Sequence, residues 1–264
     1  MVDPGGLGRG EVHAWHGHVD AAANAAAQPR ESDLATLSAQ ERARCRRFVR
    51  PADSVRFAAV HAAVRRVLAG YLDVEPAAIE FGRSRCCECG QAEHGPPRID
   101  WPATGISCNL SGSAGHWLLA VTRDRRIGAD IEVPRDLDVG QMAGASLTAA
   151  EQDYLRSQPE AGRLRLFYRC WTRKEAVLKA CGVGLAGSLR KLDAAPAHTG
   201  PVELTHSCRG GPGRWAVQDL PAGEDAGAGH DLTPEPCWLG AVAQPAAGAG
   251  RVWLLDAAPL LGSA

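Results

Sequence analysis

Short strand-like runs of apolar residues, separated by turn residues, mark the strands of this chain. Residues 105–133 contain three consecutive runs of this kind, separated at "SGSAG" and "RDRR", and Pro134 ends the third. Residues 11–20 alternate enough for a first strand, and 213–220 and 236–245 are also strand-like. The pattern therefore predicts strands in both halves of the chain, three of them joined by short turns.

Helical spacing of apolar residues dominates two longer segments. Residues 38–72 read as two helices around Pro51, and the second of these ends near Gly70. Residues 162–182 form the longest helix candidate, which closes at Gly182. Because each half contains helices and strands in similar amounts, the sequence predicts an α+β fold.

Composition and charge narrow the classes of function. The length of 264 residues suits one large domain or two small ones. The formal net charge of −1 gives no general signal for nucleic acid, although the basic segment 41–66 predicts a local anion-binding surface. No apolar run is long enough to span a bilayer, and no signal peptide is visible. Nine cysteines in a chain of this size favour reduced thiols, so we expect a cytoplasmic protein.

Two carboxylates lie close together on the third predicted strand. In a strand over 127–133, Asp130 and Glu132 share the face opposite the isoleucines, about 6.5–7 Å apart. One interpretation is a solvated strand face. The other is half of a metal site, since two carboxylates at this spacing can close on one hard cation.

A third carboxylate lies on the long helix. Glu175 and Lys179 are one helical turn apart, which fits either a surface ion pair or two charges presented together at a cleft. Lys174 falls inside the apolar arc of the same helix, so this end of the helix does not look like ordinary core packing. Three carboxylates and a lysine suit Mg²⁺-dependent phosphoryl chemistry, because Mg²⁺ prefers oxygen ligands.

Four stretches resemble the Sfp-type phosphopantetheinyl transferases. The family's two signatures are similar to "IGADIE" (127–132) and "WTRKEAVLK" (171–179), in the same order and at a similar separation. Residues 108–115 resemble the strand and turn that precede the first signature, and residues 43–57 resemble the N-terminal basic helix. The resemblance extends over nearly the whole chain, from about 12 to 242.

The resemblance implies a pseudo-dimer of two similar α+β subdomains in one chain, with coenzyme A in the cleft between them. Residues 11–124 would form the subdomain on the 3′-phosphate side of coenzyme A. Residues 125–264 would carry the metal and the catalytic helix. The Gly-rich residues 1–10 are expected to be disordered.

The implied activity is Mg²⁺-dependent transfer of 4′-phosphopantetheine from coenzyme A to a serine of an acyl or peptidyl carrier protein, with release of 3′,5′-ADP. By matching positions, Asp130, Glu132 and Glu175 would hold Mg²⁺. Glu175 would also deprotonate the carrier serine, directly or through a water, and Lys179 would stabilise or protonate the departing phosphate. The family implies a monomer. Its carriers often belong to polyketide or nonribosomal peptide synthesis, and no nucleic-acid or membrane partner is implied.

The same resemblance assigns residues to coenzyme A. Arg44 and Arg56 match the region that meets the 3′-phosphate, and an arginine guanidinium suits phosphate. Ser111 lies in the turn of the third matching stretch. His94 lies where the family's loop meets the nucleotide, and we favour a contact with coenzyme A there.

Two positions depart from the family pattern. The family often has Ser-His-Ser in the turn, where this chain has Gly112 between two serines, and His116 is too far along to substitute. A Gly-Lys-Pro triplet is also common in the family, but residues 95–97 are Gly-Pro-Pro, with Arg98 next. These differences predict weaker coenzyme A binding rather than altered chemistry, unless arginines of the basic helix compensate.

Three alternatives remain. Cys86 and Cys89, with His94 and with Cys87 as an optional further ligand, offer part of a zinc site. Only one clear ligand pair is present, however, and a reduced surface loop is the simpler interpretation. A metal-dependent nuclease would need a carboxylate two residues before the lysine, which this chain lacks. A non-catalytic carrier-binding module that has lost its nucleotide site would explain the two departures, but not the retained acids and lysine.

Overall fold

The computed structural model describes residues 6–20, 28–86, 89–92, 95–183, 189–207, 213–220 and 238–261. The strands are β1 Val12–His18, β2 Glu80–Arg83, β3 Pro97–Trp101, β4 Ile106–Ser113, β5 His116–Arg123, β6 Gly128–Glu132, β7 Val202–Thr205, β8 Arg214–Leu220, β9 Leu239–Pro245 and β10 Val252–Asp256. The helices are α1 Glu31–Thr36, α2 Ala39–Cys45, α3 Pro51–Leu72, α4 Val139–Ser146, α5 Ala149–Ser157 and α6 Glu160–Cys181. The described residues therefore form a mixed α+β fold, as the sequence predicted.

Two four-stranded sheets organise these elements. The first has the order β10-β1-β5-β4 and the second has the order β6-β9-β8-β7, while β2 and β3 form a separate hairpin. Neighbouring strands are antiparallel, except that β10 runs parallel to β1. The strands β4 and β6 each lie at an edge of their sheet, and this position matters for the site described below.

The first sheet is covered on one face by α3. Val67 and Leu68 of this helix pack with Trp117, Leu119 and Val121, which are alternate residues of β5. The period-two alternation of β5 thus directs one set of side chains toward α3. Proline occupies the first turn of the helix, where its missing N–H costs nothing, and the helix continues two residues beyond the predicted end.

The two sheets pack face to face. Leu118 and Ala120, the intervening residues of β5, contact a cluster that includes Ala129, Ile131 and Val242. The other face of the second sheet is covered by α6 through apolar contacts with β8 and β9. The order of layers is therefore α3, first sheet, second sheet, α6. Each sheet with its 22-residue helix is one α+β unit, but the similarity of the two units as a pseudo-dimer stays a prediction.

Several helices and strands of the structure were not predicted from the sequence. The helices α1 and α4 and the strands β7 and β10 were not predicted, and β3 begins inside the stretch 85–100 that reads as a loop. The strand β10 belongs to the first sheet although it lies in the second half of the chain, so the division at 124/125 stays a prediction. Within 1–10, Leu7 is buried against the α3 cluster, while residues 1–5 lie outside the described part.

None of the described helices combines the length and apolar character that a bilayer crossing needs. The predicted end of the long helix is confirmed, since Gly182 adopts the left-handed conformation with φ 77°. This conformation favours glycine because glycine has no Cβ that would clash with the backbone.

Glu41 ties α2 to α3. Its carboxylate accepts the backbone N–H of Ser38 in a capping box and forms an ion pair of 2.7 Å with Arg65 and a contact of 3.3 Å with His61. Burial raises the pKa of Glu41. The hydrogen bonds from His61 and Ser38 and the charge of Arg65 outweigh this and lower the pKa to about 2.

Because the folded-state pKa of Glu41 is depressed, its contribution is complete above pH 4.5 and is lost as the pH falls toward 2. We expect Glu41→Gln to lower the free energy of unfolding at pH 7 by about 3 kcal/mol. The difference from the wild type should shrink toward pH 3. Urea unfolding across this range measures the effect, and Glu31→Gln, at an exposed position, is the matched control. A difference that stays constant with pH would contradict the assignment.

Candidate active site

The strand β6 places Asp130 in the interior. Only 3% of its surface is exposed, which excludes the solvated-face interpretation for this residue. The cause is α6, which packs so closely on this face that a Cβ at Gly128 would lie 2.0 Å from the carbonyl oxygen of Ala176. The acids of β6 therefore face a helix, and only a glycine permits this approach.

Side chains of β4 bridge the gap between the two sheets. The Oγ of Ser111 donates to Oδ1 of Asp130 at 2.9 Å, and the Oγ of Ser113 donates to Oε2 of Glu132 at 2.7 Å. Asn109 accepts a backbone N–H of β6 at 3.1 Å. Ser111 and Ser113 of the edge strand β4 thus hold Asp130 and Glu132 of the edge strand β6. No pattern in the sequence predicts these roles of Asn109 and Ser113.

Lys179 joins the same cluster from α6. Its Nζ donates to Oδ1 of Asp130 at 2.6 Å, to Oγ of Ser111 at 2.9 Å and to the carbonyl oxygen of Ala129 at 3.2 Å. A quarter of the lysine side chain remains exposed, so the ammonium lies between the buried acid and the solvent. Lys179 is therefore not half of a surface ion pair with Glu175, because its ion-pair partner is Asp130.

Glu175 is one turn before the lysine on α6 and is 5% exposed. Its Oε1 is buried and has no hydrogen-bond partner among the described residues, and the same holds for Oδ2 of Asp130. Two buried carboxylates with unsatisfied oxygens are costly for stability, since such atoms are normally hydrogen-bonded. Their presence indicates a ligand that pairs with carboxylate oxygen.

The electrostatics of the two acids agree with this reading. Burial raises the pKa of Glu175 to about 7, the charges of Asp130 and Glu132 add to this effect, and Lys179 opposes it. Burial likewise raises the pKa of Asp130 to about 6, against the influence of Lys179 and the Ser111 hydrogen bond. The acids repel one another in a poorly solvated place, and a cation is the group that would relieve the repulsion.

The donor set fits a hard divalent cation, because two carboxylate oxygens have no hydrogen-bond partner among the described residues. As the described side chains stand, no three histidine, cysteine, aspartate or glutamate residues are arranged to hold a metal ion. Of the zinc candidates, Cys86 and Cys89 are described, whereas Cys87 and His94 lie outside the described residues. The zinc alternative and the contact of His94 with coenzyme A are therefore untested.

A pocket of about 440 Å³ lies beside Ser111 and Ser113, the serines of the first sheet that bind the acids. Its wall includes residues 111–115, Arg56, Phe48 and His116. Arg56 forms an ion pair with Asp53 at 3.1 Å, and its Nε is buried without a partner among the described residues. The structure thus brings Arg56 and Ser111 to one pocket. Ser111 also hydrogen-bonds with Asp130 and Lys179.

Arg44 lies at a second pocket of about 410 Å³, with Arg83 and Pro97 in its wall. Its guanidinium is 5.1 Å from the centre of the Phe57 ring, and Phe57 lines both pockets. The two pockets therefore adjoin, with Arg44 in one and Arg56 in the other. Glu41 also lines the second pocket, where Arg65 already partners its charge.

Residues 111–113, which the sequence predicted as a turn, instead form the end of β4, and this end has room for a side chain at Gly112. A Cβ at Gly112 would meet only the carbonyl oxygen of His116, at an ordinary 3.4 Å. His116 itself contacts His16 at 3.0 Å. Burial and the neighbouring His18 and His16 lower its pKa to about 4, so this imidazole is neutral near pH 7.

We expect Gly112→His to tighten coenzyme A binding and leave the rate of the chemical step unchanged, because the imidazole would enter the pocket that Arg56 and Ser111 line. Calorimetric titration with coenzyme A measures the affinity. Gly112→Leu, of similar volume, is the control for packing alone. Unchanged affinity for coenzyme A would mean that other groups of the pocket already make the contact expected of the imidazole.

Comparison with known proteins identifies the family. Residues 126–232 match the model of the 4′-phosphopantetheinyl transferase superfamily. The 4′-phosphopantetheinyl transferase HetI of Nostoc sp. is 36% identical over 201 residues, covering 74% of this chain and 78% of that protein. A putative 4′-phosphopantetheinyl transferase of Synechocystis sp. is 31% identical over 162 residues, covering 60% and 62%. The 4′-phosphopantetheinyl transferase Sfp of Bacillus subtilis is 26% identical over 175 residues, covering 66% and 73%. This chain therefore belongs to the 4′-phosphopantetheinyl transferase superfamily, a family of transferase enzymes.

Proposed function

We propose that this protein transfers 4′-phosphopantetheine from coenzyme A to a serine of an acyl or peptidyl carrier protein, with Mg²⁺ as cofactor. The observation that carries the proposal is the pair of buried carboxylates, Asp130 and Glu175. Each has an oxygen without a hydrogen-bond partner among the described residues, and Lys179 binds the other oxygen of Asp130. The names of the relatives and the matching signatures support the choice of substrate.

Asp130, Glu132 and Glu175 are the residues that would hold Mg²⁺. When bound, the ion would neutralise charge on the pyrophosphate of coenzyme A. The serines of β4 orient the two acids of β6, because Ser111 fixes one oxygen of Asp130 and Ser113 fixes one oxygen of Glu132.

The reaction forms a bond between the carrier serine oxygen and the phosphorus of phosphopantetheine. It breaks the bond from that phosphorus to the bridging oxygen of the pyrophosphate, and 3′,5′-ADP leaves. Glu175 would accept the serine proton at Oε1, which has no hydrogen-bond partner among the described residues, directly or through a water. Lys179, which keeps a quarter of its side chain exposed, would donate to the departing phosphate oxygen.

Coenzyme A would occupy the two adjoining pockets. Arg56 and Ser111 lie in the pocket next to the acids, and Arg44 lies in the second pocket. Guanidinium groups at both pockets suit a ligand with several phosphates. His94 is likewise proposed to contact coenzyme A.

The carrier domains of polyketide or nonribosomal peptide synthesis are the proposed acceptors, as the likeness to Sfp-type enzymes implies. We place the protein in the cytoplasm as a monomer, without nucleic-acid or membrane partners. The net charge of −1 agrees with the expected lack of a nucleic-acid partner.

A degenerate carrier-binding module is the alternative, because Gly112 and the Gly-Pro-Pro triplet at 95–97 depart from the family pattern. Titration with coenzyme A, with and without Mg²⁺, separates the two functions. The enzyme should bind coenzyme A more tightly with Mg²⁺ and release 3′,5′-ADP only when an apo carrier is added. Carrier binding without coenzyme A binding would support the degenerate module instead.

A further inference from the structure

The turn between α2 and α3, residues 46–50, presents an unusual apolar side chain. Val49 is 96% exposed, against 45% for Trp101 and 38% for Leu254, the other large apolar side chains exposed in the described part of the chain. A single exposed apolar residue needs no explanation by itself. Its neighbours on the turn give this one significance.

Three arginines surround this valine. Arg46, Arg47 and Arg50 are exposed, and their side chains form no ion pair or hydrogen bond with any described residue. By contrast, Arg65 and Arg66 of the neighbouring α3 are both paired with acids. The turn is therefore a positive surface without internal partners and with an apolar centre.

The turn also adjoins the candidate active site. Phe48, next to Val49, lines the 440 Å³ pocket together with Ser111 and Ser113, which hold the acids of β6. On its other side Phe48 lines a groove of about 410 Å³ along α2 that includes Arg47. A macromolecule seated on this turn would thus have its contact surface next to the entrance of the active-site pocket.

We propose that the α2–α3 turn docks the carrier protein, with Val49 as the apolar contact and the arginines facing acidic residues of the carrier. This inference rests on the proposed function. Charge complementarity selects the occupant, because carrier domains are typically acidic and three exposed arginines, Arg46, Arg47 and Arg50, lie on the turn. Coenzyme A could use the arginines, but it has no need of an apolar side chain as exposed as Val49.

Steady-state transfer to apo acyl and peptidyl carrier domains tests the proposal. We expect Val49→Asp and Arg50→Glu each to raise the KM for the carrier by about tenfold, while kcat and the KM for coenzyme A stay unchanged. Neither change removes a buried contact, and an acid at position 50 precedes the first turn of α3, where negative charge is favourable. Folding should therefore be preserved.

The matched control is Arg123→Glu. Arg123 is exposed at the end of β5 that lies farthest along the strand from the β4–β5 turn, and its substitution should leave the KM for the carrier unchanged. Added salt should raise the KM of the wild type more than that of Arg50→Glu.

The outcomes separate the two proposals. If the wild type transfers phosphopantetheine and both turn variants keep the wild-type KM for the carrier, the docking surface alone would be overturned. A parallel rise in the KM for coenzyme A would assign the turn to the nucleotide and would also overturn it. Failure of the wild type to modify any carrier, although it is folded, would contradict both the docking surface and the proposed function.

Discussion

Replacing Asp130 by alanine, or Glu175 by glutamine, is expected to reduce phosphopantetheine transfer by about 10²–10⁴-fold while leaving the fold intact. Both changes remove a carboxylate oxygen that has no partner among the described residues and that we assign to the cation. Transfer to an apo carrier, measured by mass spectrometry at saturating Mg²⁺, gives the rate. Wild-type activity in either variant, with Mg²⁺ still required, would contradict the site assignment.

The stability of the same variants provides an independent check. Glu175→Gln replaces a buried carboxylate whose pKa is raised by burial, so the charge costs stability at neutral pH. We therefore expect this variant to be at least as stable as the wild type above pH 4.5. Asp130→Ala should also leave the fold intact, because the ammonium of Lys179 retains Ser111 and the solvent as partners. Loss of both activity and folding would point to a structural role instead.

The second large effect is expected at Lys174, which lies inside the apolar arc of α6. Its Nζ is completely buried and contacts Oε2 of Glu151 at 2.5 Å and the carbonyl oxygens of Ser146 and Leu189 at 3.0 Å. Glu151 is also fully buried and accepts the backbone N–H of Ala194 at 2.6 Å. This ion pair joins α4, α5 and the segment after α6 to α6 itself.

Removing one partner leaves the other charge buried and unpaired. We expect Lys174→Met to lower the free energy of unfolding by about 3–5 kcal/mol, measured by urea denaturation. The double variant Lys174→Met/Glu151→Leu should recover part of this loss, because it removes both charges. Arg156→Met breaks an exposed pair with Asp153 on α5 and should cost less than about 1 kcal/mol. A single-variant loss as small as that of Arg156→Met would contradict the buried-pair account.

The main elements could be predicted because their signals are local. The strands β4, β5 and β6 are short strand-like runs separated by turn residues, and α6 shows helical spacing with a glycine at its end. The acids and the lysine could be grouped for the same reason. Positions two apart on a strand share a face, and positions four apart on a helix are neighbours.

The parts that were missed depend on contacts between distant segments. The strand β10 pairs with β1, about 240 positions earlier in the chain, and nothing in its own five residues predicts that partner. The helix α4 contains two glycines, which lower helix propensity. The bonds from Ser111 and Ser113 to the acids arise where two edge strands meet without backbone pairing, an arrangement that no spacing in the sequence encodes.

The burial of Asp130 was also beyond the reach of the sequence. Alternation along β6 predicts two faces, but not that α6 covers the face that carries the acids. The sequence therefore left the solvated face and the metal site as alternatives, and the packing of α6 against Gly128 excluded the solvated face for Asp130.

The most direct test of the central claim is the intact mass of apo carrier proteins after incubation with this protein, coenzyme A and Mg²⁺, with an EDTA control. We predict that a carrier gains the mass of one phosphopantetheine and that EDTA abolishes the gain. No gain on any acyl or peptidyl carrier, from a folded protein, would contradict the proposed activity and favour the degenerate carrier-binding module.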